Sequence, residues 1–285
     1  MIMDNSIIKI EEVTFGYGRK RPVFENFSLD FNKGQIIGLL GKNGTGKSTL
    51  LYIISGLLNT SHGRVSINGT DARKRLPSTL SDMYIVPEEF SMPNIPMKNF
   101  VKLNLPFYPK FSNNILNECL ADFDLDYDIN LGELSMGQKK KAYICFALAT
   151  NTSILLMDEP TNGLDIPSKS QFRKVITKGM TDNKSVIIST HQVRDIDRLL
   201  DHVVIIEGNE VLLNESVKDI TDKLFFDEVS ISEPTDNMLF IQPSVKGNSI
   251  IAENTFGEES TLNLELLFNA VLCEKNKIQN IFRKK

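Results

Sequence analysis

Apolar and polar positions along the chain follow two different periods, and the places where each one governs divide the sequence into parts. In "IIKIEEVTFGYG" and "VFENFSLDF", β-branched and aromatic residues alternate with polar ones between glycine or polar turns, which predicts antiparallel strands. "QIIGLLG", "SILLMDEP" and "SVIISTHQ" are instead short continuous apolar runs, as in strands buried on both faces. "KSTLLYIISGLL" and "PSKSQFRKVITKGM" repeat at helical spacing. Strand, helix and strand in alternation predict a mostly parallel sheet with right-handed crossovers, and ligands then belong at the carboxyl ends of its strands.

Between about 95 and 130 the β-branched runs vanish. "MKNFVKLNL" and "NNILNECLADFDL" read as short helices around the proline-marked "LPFYPKF", and "QKKKAYICFALAT" puts Ala142, Cys145, Phe146 and Ala149 on one helical face. This predicts a helical insertion over about 88–150. After "DHVVIIEGNEVLLNES" the pattern changes again near 220: "EVSISE", "MLFIQPSV" and "SIIAEN" read as short strands, and "STLNLELLFNAVLCEKN" as one final helix with Leu264, Leu267, Phe268 and Leu272 on one side. The expected organisation is an α/β domain over 1–221, with an antiparallel β subdomain, and a small α+β appendage over 222–285.

Composition narrows the class. With 285 residues, 41% of them hydrophobic and 24% charged, the chain can bury a full core and shows no bias toward disorder. A formal charge of −4 gives no global basic field, so nucleic acid is not an expected partner. The local lysine runs "KKK" (139–141) and "RKK" (283–285) read as a solvated helix face and a frayed tail. Cys119, Cys145 and Cys273 are odd in number and widely spaced, which fits neither a disulfide framework nor a zinc site; it fits a reducing compartment, with Cys145 in the core. The first residues lack the order of a signal peptide, and no apolar run approaches the roughly 18–20 residues needed to span a bilayer.

The chemistry concentrates at the ends of the buried runs. "GKNGTGKST" (Gly41, Lys42, Asn43, Gly44, Thr45, Gly46, Lys47, Ser48, Thr49) fits the phosphate-loop pattern and lies between a buried strand and a helix, where the mechanism requires it. Its glycines let successive N–H groups face an anion, Lys47 would reach the β- and γ-phosphates, and the Ser48 hydroxyl would ligate Mg²⁺. Asp158 ends "ILLMD" and is suited to hold the ion, while Glu159 could polarise an attacking water. His191 ends "VIISTH", close to where a γ-phosphate would lie; His62 and His202 read as surface residues. Glu88 and Glu89, in "IVPEEF", end another apolar run, and their pattern alone leaves catalysis, metal binding and a solvated loop open.

This ordered set resembles the ATP-binding subunit of ABC transporters: the phosphate loop, "LSMGQ" (134–138), "ILLMDEP" (154–160), "NGLD" (162–165) and "STH" (189–191), spanning about residues 5–220. "FYPKF" and "LELLF" further resemble the ATPase subunits of bacterial ABC-2-type exporters. The resemblance implies a P-loop NTPase of ABC type that hydrolyses ATP with Mg²⁺ in a head-to-tail dimer of ATPase subunits. It also implies a separate integral membrane permease as partner, location on the cytoplasmic face of the membrane, and transport, with export from the weaker motifs. It assigns Ser135, Gly137 and Gln138 to ATP held by the second subunit, although Met136 stands where the family has glycine, and Ser135 can also cap the helix that follows. It assigns Tyr17 to adenine stacking and Asp165 to communication across the dimer, with a packed tyrosine and a helix cap as the plain alternatives. Finally, it places Glu88 where the family carries a glutamine that touches Mg²⁺ and the attacking water; a carboxylate can ligate the ion but cannot donate a hydrogen bond. A soluble ABC-type ATPase acting on nucleic acid or ribosomes, and a nucleotide-gated regulatory subunit with little hydrolysis, stay open as other readings.

Overall fold

The structure, a computed structural model, describes residues 5–18, 21–230, 238–245 and 247–283. In chain order the ATPase portion runs β1 (Ser6–Phe15), β2 (Phe24–Asn32), β3 (Ile36–Leu40), α1 (Lys47–Ile54), β4 (His62–Ile67), β5 (Thr70–Asp71), α2 (Pro77–Leu80) and β6 (Met83–Val86). It continues through α3 (Met97–Asn104), α4 (Asn113–Asp122), α5 (Met136–Ala149), β7 (Ile154–Asp158), α6 (Ile166–Lys178), β8 (Ser185–Thr190), β9 (His202–Glu207) and β10 (Glu210–Ser216). After α7 (Val217–Lys223) come β11 (Leu224–Val229), β12 (Phe240–Ser244), β13 (Gly247–Glu253), α8 (Leu264–Cys273) and α9 (Lys275–Arg283).

Among the described residues, three sheets form. The central one has order β10-β9-β3-β8-β7-β6; its strands pair in parallel except for the β9–β10 hairpin at one edge. An antiparallel sheet β2-β1-β4-β5 packs on one side, and β11-β13-β12 is antiparallel.

Strict alternation of side chains explains why the central strands read as continuous apolar runs. Ile37, Leu39, Leu156, Ile187, Val204 and Ile206 pack with α1 and the antiparallel sheet. Their neighbours Ile36, Leu40, Leu155, Met157, Val186, Ile188, Val203 and Ile205 enter a second core on the opposite face, with α5 and α6. Both faces are covered, so both parities are apolar along the middle of these strands, and the buried polar residues Asp158, Ser189 and Thr190 come at their carboxyl ends.

The helices α3, α4 and α5 all lie in the connection from β6 to β7, which pair in parallel, so the insertion is carried on a crossover. Ala142, Cys145, Phe146 and Ala149 are fully buried, as their spacing predicts. The lysine run beside them departs from expectation: Lys140 is buried, with Lys139 and Lys141 partly so, and Lys141 lies over the Phe123 ring. His202 is also only partly exposed, its Nε2 2.7 Å from Asn214 Oδ1.

The C-terminal segment differs from its sequence reading in two places. The first strand begins at Leu224, ahead of "EVSISE", whose residues 231–233 lie outside the described residues, as does the end of "RKK". The final helix is two, α8 and α9, parted at Glu274, where the backbone leaves the helical region (φ −121°, ψ 40°). Leu224, Phe226, Ile251, Leu264, Leu267 and Ile278 join the second core of the ATPase portion rather than forming a separate one.

Candidate nucleotide site

Four parallel strands, β6, β7, β8 and β3, are adjacent, and the segments leaving their carboxyl ends carry Glu88, Asp158–Glu159, His191 and the phosphate loop. They border a cleft of about 420 Å³ lined by Tyr17, Asn43, Gly44, Gly46, Lys47, Ser48, Thr49, Glu88, Glu159 and His191.

The loop is shaped by its glycines. Gly46 precedes α1 at φ 96°, and a Cβ there would lie 2.7 Å from Phe24 and 2.8 Å from Val23. A Cβ on Gly41 would meet Thr45 Oγ1 at 2.6 Å and Ile206 O at 2.7 Å. No side chain caps the start of the helix, whose first residues line the cleft, and an uncapped helix N-terminus at a cleft can bind an anion. Lys47 is buried, and its Nζ donates to Gly41 O (2.8 Å) and Lys42 O (3.2 Å) and lies 3.8 Å from Glu159 Oε1. Burial pulls its ammonium pKa down, and Glu159, Asp158 and Glu88 pull it back up in part. Lys42 points away to Glu207, and Thr45 Oγ1 closes the loop onto Lys42 O.

Asp158 is 1% exposed at the end of β7, accepts from the Ser189 hydroxyl, and is bonded by Ser48. Burial raises its pKa, with those hydroxyls opposing the shift. Among the described residues no three His, Cys, Asp or Glu side chains are grouped so as to hold a metal ion by themselves. The oxygen-only set of Asp158, Ser48 and the nearby Glu88 fits Mg²⁺, which takes few protein oxygens and keeps waters and phosphates for the rest.

Glu159 is buried and heavily constrained. Its Oε2 accepts from Thr190 Oγ1 (2.8 Å), and its Oε1 accepts from the His191 backbone N–H (3.0 Å) and contacts His191 Nδ1 (2.7 Å). Its own N–H donates to Ser189 O (2.9 Å), and its φ is +44°, a left-handed conformation costing a non-glycine residue about 1–2 kcal/mol.

Tyr17 follows β1, 49% exposed, with its hydroxyl 3.2 Å from Thr49 Oγ1, so one face of the ring borders the cleft. Ser135, Gly137 and Gln138 do not line it. They form the start of α5, where Ser135 Oγ accepts from Gln138 N (3.3 Å) and Gln138 Oε1 accepts from Ser135 N (3.1 Å), a reciprocal cap. Asp165 caps α6 by accepting from Ser168 N (2.9 Å). Glu88 and Glu89 are both exposed; Glu89 lies outside the lining, whereas Glu88 belongs to it and its Oε1 accepts from Asn162 Nδ2 (2.8 Å).

Sequence reading missed Lys140, Asn162 and Gln192, which tie these segments together. The available signal was that Lys140 shares a helical face with the apolar Ile144 and Ala147, at i, i+4 and i+7.

The model of the ABC transporter family matches residues 24–162. A putative ABC transporter ATP-binding protein of Pyrococcus furiosus, PF0528, is 31% identical over 231 residues, covering 76% of this chain and 86% of that protein. The ABC transporter ATP-binding protein YtrB of Bacillus subtilis is 27% identical over 190 residues; the match spans 66% of this chain and 65% of YtrB. A solved ATP-binding subunit of an ABC transporter superposes with a TM-score of 0.67 at 23% identity, over 75% of this chain and 92% of that one, which establishes the shared fold. The chain belongs to the ATP-binding proteins of ABC transporters and is an ABC-type ATPase.

Proposed function

We propose that this chain binds ATP with Mg²⁺ in the cleft between the phosphate loop and His191, and that ATP hydrolysis there drives a separate membrane permease. The observation that carries the reading is the convergence of Lys47, Ser48, Glu88, Glu159 and His191 on one cleft, with Asp158 behind them at the end of β7.

On this reading the N-terminus of α1 and Lys47 bind the phosphates, and Tyr17 stacks on the base. Ser48, Asp158 and Glu88 would hold Mg²⁺, which when bound supplies charge neutralisation at the β- and γ-phosphates. Glu159 takes the proton of the attacking water; the His191 and Thr190 hydrogen bonds aim its carboxylate. His191, at the cleft wall, meets the charge developing on the γ-phosphoryl group.

Ser135, Gly137 and Gln138 lie outside the cleft and present the start of α5 to solvent, which supports a head-to-tail dimer in which they reach the second subunit's ATP. Residues 1–221 would be the ATPase unit, 88–150 its helical subdomain, and 222–285 an appendage.

Among the described residues no helix is long and apolar enough to cross a membrane. On this reading a permease supplies the membrane spans, and this subunit sits peripherally at the cytoplasmic face. A cleft between the ATPase core and the insertion, lined by Leu57, Arg75, Leu80, Tyr84, Tyr108 and Tyr143, supports docking of that partner, as does the neighbouring Phe107, 66% exposed. Export follows the motif resemblance alone.

The test combines a phosphate-release assay on the purified chain with isolation of its complex from membranes. Mg²⁺-dependent release and a co-purifying integral membrane protein are expected. Co-purification with nucleic acid and no membrane protein would overturn the transport reading, and ATP binding without measurable release, with or without the permease, would overturn the catalytic one.

A further inference from the structure

Three carboxylates, Glu88, Asp158 and Glu159, lie within charge range of Lys47 at a site that must also accept a polyanionic nucleotide. A second cation lies beneath them. Lys140, in the second turn of α5, is 4% exposed, and its Nζ donates to Glu159 O at 3.1 Å and Asn162 O at 3.0 Å. Burial pulls its ammonium pKa down, and Glu88, Glu159 and Asp158 oppose that shift.

These contacts are connected. Asn162 donates its Nδ2 to Glu88 Oε1 at 2.8 Å and accepts from Gln192 Nε2 at 2.7 Å, beside His191. The ammonium therefore braces both ends of the turn Glu159–Asn162: at one end the carbonyl of the residue held at positive φ, at the other the residue that grips Glu88. A buried ammonium desolvated without nearby anions would be unfavourable, and a third carboxylate at a phosphate site without a nearby cation equally so. Each makes the other tolerable.

We infer that Lys140 is a positioning residue for the hydrolytic site, which fixes Glu159 and Asn162 from beneath and balances the charge of Glu88, so that Glu88 and Lys140 act as one unit. The inference rests on the ATP reading above.

The test measures ATP and ADP affinity by calorimetry on the full chain in EDTA, beside Mg²⁺-dependent turnover. Lys140→Met removes the charge and both donations at nearly constant volume. It should weaken ATP relative to ADP by about tenfold, because the uncompensated carboxylates act on the extra phosphate, and lower turnover at least as much. Lys140→Arg should keep the ATP to ADP ratio within about threefold. Adding Glu88→Gln to Lys140→Met should restore that ratio, a rescue that loss of a merely structural contact does not give. Should Lys140→Met fail to fold, Lys140→Gln, neutral but still able to donate, should show the same loss of ATP preference. Equal changes for ATP and ADP, or no rescue by Glu88→Gln, overturn the inference while leaving the ATP reading intact. An unmodified chain that binds neither nucleotide, in EDTA or with Mg²⁺, overturns both.

Discussion

His191 meets Glu159 twice at a single oxygen: its backbone N–H donates to Oε1 at 3.0 Å, and its ring Nδ1 lies 2.7 Å from the same atom. The backbone contact survives any substitution at 191 except proline, so the carboxylate stays aimed when the ring is removed. His191→Ala should therefore lower turnover by about 10- to 100-fold while ATP affinity changes less than threefold. Phosphate release and equilibrium nucleotide binding measure the two quantities; a matching loss in both would make the ring a binding group.

Glu159→Gln tests the base itself. An amide keeps the size and can still accept the His191 N–H while donating to Thr190 Oγ1, so packing should persist. ATP binding should be retained and turnover should fall by at least about 100-fold, with the nucleotide-bound dimer accumulating in size-exclusion chromatography. Near-normal release would remove Glu159 from the role of base.

The phosphate loop separates two kinds of glycine. Gly44 sits at φ 81° with open space where a Cβ would be, while Gly46 sits at φ 96° against Phe24 and Val23. Gly44→Ala should cost about 1 kcal/mol, from backbone strain alone, and Gly46→Ala about 2–4 kcal/mol, because overpacking adds to it. Denaturant unfolding without nucleotide gives both values. Equal costs would show that the loop relaxes away from the core.

Lys184 is 3% exposed just ahead of β8, and its Nζ has no hydrogen-bond partner among the described residues. Burial pushes its pKa down, and Cys119 opposes this weakly. Below the lowered folded-state value both states are protonated and the burial penalty stands in full. Above it, and up to the ordinary lysine range, the unfolded chain binds more protons, so stability rises with pH. Lys184→Met should raise stability by about 1–3 kcal/mol near neutral pH and abolish that alkaline rise. Unfolding curves across pH 7–11 check both; a destabilised variant would mean that the ammonium is satisfied in solution.

What was legible in the sequence follows from how local each signal is. The strand "QIIGLL", the glycine turn and the helix after it are contiguous, so Lys47 and Ser48 can be placed from sequence order alone. Asp158, Glu159 and His191 are fixed likewise by the apolar runs they end. Lys140 is not, because a lysine triplet on a helix reads as solvated until the turn Glu159–Asn162 is known to lie over it. The break at Glu274 is equally silent: Leu264–Leu272 and Ile278–Ile281 both keep helical spacing, with no proline or glycine between them. Leu224 begins a strand directly after α7, without the turn residues that would announce one.

A shared site makes a prediction that a self-sufficient one cannot. Ser135 caps α5 outside the lining of its own cleft, so Ser135→Arg should abolish turnover by acting on the second subunit's nucleotide while sparing ATP binding in its own chain. Glu159→Gln abolishes turnover in the chain that carries it. In a mixed dimer, one site then combines two defects, whereas the other joins the intact Glu159 of the first variant to the intact Ser135 of the second. Mixing the two inactive proteins, with exchange of subunits, should restore phosphate release to roughly a quarter of the unmodified level, since half of the dimers are mixed and each has one working site. A mixture no more active than its components would show that each chain completes its own site, and the head-to-tail dimer would fall with it.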